Sequence, residues 1–93
     1  MNLPQDYTQL SWQERRAVRL AYVAEQEGRC HYCGDSLNGP PPPSVTDKPI
    51  KRRLFPESFF KHPVHLHHDH GTGLTIGAVH NYCNAVLWQY HGE

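Results

Sequence analysis

The chain has 93 residues, 38% of them hydrophobic, with eight prolines, seven glycines, and nine Lys and Arg balancing nine Asp and Glu. That length holds one domain (1–93), whose thin apolar content calls for a staple beyond its core, and the balanced charge excludes a uniformly basic nucleic-acid coat protein. Three cysteines beside eight histidines point to metal, not to a secreted disulfide framework; with no leader-like segment and no apolar run near 20 residues, a cytoplasmic setting is expected and membrane roles are set aside.

Residues 1–10 show no periodicity and read as an extended lead-in. Ser11-Trp12-Gln13-Glu14 then matches a capping box, and an N-terminal helix is expected over 11–28, its body running to about Glu27 and Gly28 supplying the left-handed stop. Its expected core stripe is Ala17, Leu20, Ala21 and Ala24, with Arg15, Arg16 and Arg19 on the opposite side as a solvated face or as phosphate contacts.

Cys30-His31-Tyr32-Cys33-Gly34 follows as a tight turn with zinc-knuckle spacing. A redox dithiol would sit at a helix start in a strand-helix-strand unit, whereas this pair follows a helix and leads into prolines 40–43. Residues 37–62 read as a Pro-rich and basic excursion. Within it, 47–61 carries Lys48, Lys51, Arg52, Arg53 and Lys61 against Asp47 and Glu57, interleaved with Leu54, Phe55, Phe59 and Phe60, whose expected use is packing.

From Pro63 the pattern changes. Val64-His65-Leu66-His67 and Leu74–Val79 alternate as strands around an Asp69–Gly73 turn, and Asn81–Tyr90 carries Val86, Leu87 and Tyr90 at helical spacing. His80 and Cys83, three apart where the last helix starts, complete a Cys3His tetrahedron with Cys30 and Cys33; four protein ligands leave no open position, so the site is structural. His65-Leu66-His67-His68-Asp69-His70 gathers four histidines where a strand becomes a turn, and adjacent histidines can divide metal binding from proton transfer. Asn84, in the first turn of the last helix, offers an oxygen that would share a metal with His67 and leave positions open. A second zinc site or a pH-sensitive surface patch is the plainer use of the same histidines.

The segment His65–Gly73 followed by Gly77-Ala78-Val79-His80-Asn81-Tyr82-Cys83-Asn84, together with the Cys30/Cys33 pair, resembles the HNH endonucleases, most closely the phage recombination endonuclease VII family. The resemblance covers about 55 of the 93 residues. It implies a small α+β fold with a ββα-metal (His-Me finger) core over 63–91 and a structural zinc knuckle at 30–34, which the N-terminal helix read from the capping box precedes. It also implies metal-dependent hydrolysis of DNA phosphodiester bonds. Carried across, His68 matches the general base, His67 and Asn84 the catalytic-ion ligands, and Cys30, Cys33, His80 and Cys83 the Zn²⁺ ligands. Asp69, His70 and His91 are accessory candidates.

The sequence departs from that family at three places. His67 stands where the family usually has aspartate, which tilts the expected catalytic ion from Mg²⁺ toward Mn²⁺, Ni²⁺ or Zn²⁺. His80 replaces a third cysteine, and Ile76 an arginine. Arg15, Arg16, Arg19, Lys51, Arg52 and Arg53 are the candidates for holding DNA, the expected partner. Nicking against double-strand cutting, linear against branched substrate, and monomer against homodimer stay open. The alternative from another class is a non-catalytic zinc-finger-like module that binds nucleic acid or protein.

Overall fold

The computed structural model describes residues 1–92. Helix α1, Trp12–Glu25, opens as the capping box requires: the Glu14 carboxylate accepts from the Ser11 amide at 2.9 Å and the Ser11 hydroxyl accepts from the Glu14 amide at 3.2 Å. It closes with Gly28 at φ +74°, whose amide donates to the Val23 carbonyl at 2.9 Å. The expected apolar stripe is on the wrong side. Val18 and Tyr22 are the buried residues of α1, while Ala17, Leu20 and Ala24 are exposed. Tyr22 outweighs the alanines because one large ring removes more apolar surface from water than several methyl groups, and its hydroxyl pairs with Thr75 Oγ1 at 2.8 Å. This rotation carries Arg15 and Arg19, both half-buried, toward the body of the protein.

Strands β1 (Val64–His68) and β2 (Thr75–His80) form an antiparallel hairpin that runs directly into helix α3 (Asn81–His91). Pairing runs from Val64 opposite His80 to His67 opposite Gly77, then slips so that His68 faces Thr75. The slip leaves Ile76 as an extra residue on β2, opposite the step from His67 to His68. Asp69 builds the turn, its Oδ1 accepting from the amides of Gly71 at 2.7 Å and Thr72 at 2.9 Å. Gly92, at φ +72°, ends α3.

The outer edge of β2 is covered by other parts of the chain. Residues 1–10 are not a bare lead-in: the Thr75 amide donates to the Gln5 carbonyl and the Tyr7 amide to the Gly73 carbonyl, each at 2.8 Å. Farther along, the Gln26 amide group imitates a strand, donating to the Ala78 carbonyl and accepting from the Ala78 amide, both at 2.9 Å. Gly77 is required there, since a Cβ would lie 2.8 Å from Gln26 Oε1 and 2.9 Å from His31 Cγ.

The 37–62 excursion is ordered, carrying the short helix α2, Pro43–Thr46, and single turns at Arg52–Leu54 and Glu57–Phe60. Its Leu37 and Val45 join Val18, Tyr22, Leu66, Val79, Val86 and Leu87 in one core that also contains Cys30 and Cys83. Phe55, Phe59 and Phe60 pack on one another, and Phe55 meets Trp88 of α3 edge to face at 5.6 Å. No helix among the described residues is long and apolar enough to cross a membrane.

Candidate functional site

Cys30, Cys33, His80 and Cys83 are placed to hold a metal ion, their ligand atoms all within 4.8 Å of one another. The knuckle turns tightly because Gly34, at φ +80°, lets its amide donate back to the Cys30 carbonyl at 2.9 Å. It docks on the hairpin through the His31 amide, which donates to the Ala78 carbonyl at 3.0 Å. His80 ends β2 and caps α3, which places it beside Cys83 one turn on.

His80 Nδ1 lies 3.5 Å from Cys33 Sγ and 3.6 Å from Cys83 Sγ. A tetrahedral centre with bonds of about 2.05 Å to nitrogen and about 2.3 Å to sulfur sets nitrogen and sulfur about 3.5 Å apart, so the spacing is consistent with zinc. On its far side, His80 Nε2 donates to the carbonyls of Ser36 at 2.9 Å and Gly39 at 3.0 Å, which leaves the Nδ1 lone pair for the metal. Electrostatics agree. The Cys83 thiol pulls Cys30 down to about 4 against the effect of burial, while Cys83 is raised by that same pairing and by burial, and Cys33 chiefly by burial. A divalent cation held here would bind the sulfurs as thiolates and release their protons.

The second feature is a cleft of about 960 Å³ between α1, the excursion, the hairpin and α3. Arg15, Arg16 and Arg19 from α1 line it together with His62, His65, His67, His68 and His70, with no carboxylate among the lining residues. His67 is buried, 3% exposed, and also borders a smaller cavity beside His31 and His91. Both His67 and His68 therefore reach one cleft. His68 is half-buried, and its pKa is lowered first by burial, then by His70, His67 and Arg15, with Asp69 acting in the opposite direction. Its neutral form is thereby favoured.

Asn84 lines the cleft, and its amide nitrogen donates to His65 Nδ1 at 3.1 Å. His65 is kept neutral mainly by burial, which outweighs the carbonyls of Phe59 and His62. Asp69 is spent on its turn, its pKa lowered by the amides of Thr72 and Gly71. His70 packs edge-on against His68 at 4.8 Å. His91 lies outside the main cleft, 3.5 Å from the Tyr32 hydroxyl. Lys51, Arg52 and Arg53 are absent from the lining of the main cleft; the Arg52 guanidinium sits 4.2 Å over the Phe60 ring.

Tyr7 escapes sequence reasoning, and His65, singled out only as one of four clustered histidines, gains a specific partner. Tyr7 stacks flat on His68, and His65 holds Asn84. For His65 the signal was strand period, since it shares a face with His67; Tyr7 lies in a segment without periodicity, and nothing local marks it.

No protein-family model, no curated protein and no solved structure matches the chain.

Proposed function

We propose that this protein is a small metal-dependent DNA endonuclease of the HNH type, a zinc-stapled ββα-metal fold in which Cys30, Cys33, His80 and Cys83 hold a structural Zn²⁺. One observation carries the reading: in a chain of zero net charge, a histidine-rich cleft is lined by three arginines and by no acid. Such charge segregation suits a polyanion, and the imidazoles of His65 and His68, whose pKa values burial lowers, suit metal binding and proton transfer.

In this reading His68 Nδ1 or Nε2 takes the proton of the attacking water, a task for which its burial-lowered pKa keeps a lone pair free at neutral pH. Tyr7 and His70 restrict its ring. His67 and Asn84 would hold the catalytic ion, Mg²⁺, Mn²⁺ or Ni²⁺, which when bound supplies charge stabilisation at the scissile phosphate and the leaving oxygen. With its nitrogen donated to His65, Asn84 keeps its amide oxygen for a cation. Arg15, Arg16 and Arg19 contact the phosphates on either side.

The test is incubation of the zinc-loaded protein with supercoiled plasmid, with and without added Mg²⁺, Mn²⁺ or Ni²⁺. Metal-dependent nicking or linearisation is expected, and an intact plasmid under every metal refutes the assignment. One observation favours a second reading. Among the described residues the Cys3His group is the one His, Cys, Asp or Glu cluster with metal-binding geometry, as a non-catalytic zinc module would have. That module holds one metal per chain and cleaves nothing.

A further inference from the structure

Both tryptophans of the chain line the basic cleft, Trp12 on the α1 wall and Trp88 on the α3 wall. Trp12 is 72% exposed and Trp88 43%, although each would gain from burial in a chain so poor in apolar residues. Trp12 occupies the first position of α1. Arg15, Arg16 and Arg19, three, four and seven residues on, therefore fall along the same helical strip, so one indole and three guanidinium groups share one wall. Across the cleft Trp88 rests on Phe55, which packs on Phe59, and Phe59 meets His65 edge-on at 4.7 Å. An aromatic wall thus runs from the cleft rim to the histidines.

We infer that this cleft takes an unpaired DNA strand, whose bases stack on Trp12 and Trp88 while Arg15, Arg16 and Arg19 follow its phosphates. The inference rests on the nuclease reading for the chemistry at the histidines, and it names the substrate class of that site. Charge selects a polyanion, and a basic groove with interleaved aromatic rings is the arrangement that holds single strands. In an intact duplex the base faces are covered by their neighbours and only their edges reach the grooves, so exposed indoles would find nothing to stack on. A strand that is single, frayed or locally opened presents those faces.

Because every tryptophan of the chain lies in the cleft, intrinsic fluorescence reads the contact directly. The zinc-loaded protein is titrated, without added Mg²⁺ or Mn²⁺, with a short single-stranded deoxyoligonucleotide, with the blunt duplex of the same sequence, and with an abasic strand of equal length and charge. The single strand should quench and bind; the duplex and the abasic strand should bind weakly without comparable quenching. Trp12→Ala should weaken single-strand binding by roughly 5- to 100-fold. Trp88→Phe, which keeps a ring in the packing, should leave Trp12 as the sole reporter, still quenched.

Equal quenching by duplex or abasic strand overturns the inference, as does an unchanged affinity in Trp12→Ala. Absence of quenching by all three also overturns it and leaves the aromatic wall to an apolar protein partner. Cleavage of the same strands after adding metal is read separately. Base-dependent quenching without cleavage rejects the nuclease reading alone; duplex cleavage without base-dependent quenching rejects this inference alone.

Discussion

The Tyr7 ring lies flat on the His68 imidazole, with 3.8 Å between ring centroids and 5° between planes. The Arg15 guanidinium sits 3.8 Å from the same Tyr7 centroid and donates to the Tyr7 carbonyl at 3.1 and 3.3 Å. Two groups that close cannot share one face of a ring, so Tyr7 is the middle layer of an Arg15–Tyr7–His68 stack. The backbone pins it, since its amide donates to the Gly73 carbonyl just beyond the His68 turn.

If His68 is the general base proposed above, that stack gives Tyr7 the task of positioning it. Tyr7→Ala should lower the cleavage rate by up to roughly 10²-fold at saturating DNA, the cost of a reacting group left misplaced by about 1 Å. Tyr7→Phe keeps the stacked ring and should keep most of the rate. Equal losses in both variants, or a change confined to KM, would remove the positioning role.

On the proposed nuclease reading, the neighbours His67 and His68 have separable roles. His68→Ala should retain zinc, fold and DNA binding while cleavage falls by roughly 10²–10⁴-fold, the usual worth of a general base. His67→Ala should instead lose the catalytic ion, and His67→Asp should recover activity with a preference for Mg²⁺, a harder ion. Metal titration by calorimetry beside single-turnover kinetics separates the two; parental cleavage by His68→Ala makes His70, its edge-on neighbour, the next candidate.

The Cys3His cluster sits within the core, with Cys83 fully buried and Cys30 and His80 each 3% exposed. Cys30→Ser, Cys83→Ser or removal of the ion by a strong chelator should therefore abolish cooperative folding, because the knuckle, the hairpin and α3 meet at that point. Circular dichroism melts paired with zinc content per chain check this. A chelated protein that still melts cooperatively at its original temperature contradicts it.

Arg15, Arg16 and Arg19 of α1 line the cleft and the lysines and arginines of the excursion do not, so the proposed reading gives the phosphate contacts to α1. Arg16→Ala with Arg19→Ala should flatten the slope of log K against log salt by about two units, one for each lost phosphate contact. Arg52→Ala with Arg53→Ala should leave it nearly unchanged, since neither lines the cleft and Arg52 is stacked on Phe60. Binding isotherms at several salt concentrations decide the ranking.

Much of this architecture is local and therefore legible in the chain. The Ser11–Glu14 box, the Gly28 stop, the knuckle spacing, the His80/Cys83 pair and the strand-turn-strand-helix order all depend on residues a few positions apart, and all are present in the structure. What tertiary packing decided is which face of each element turns inward. The core took Tyr22 and Val18 over the alanines, because buried area outweighs the evenness of a stripe, and so swung Arg15 and Arg19 to the histidines. It brought Tyr7 onto His68 across 61 positions of sequence and joined Asn84 to His65. Such contacts belong to pairs of distant residues, and neither partner carries a sign of the other, because a ring or an amide is equally at home in solvent until the fold supplies its neighbour.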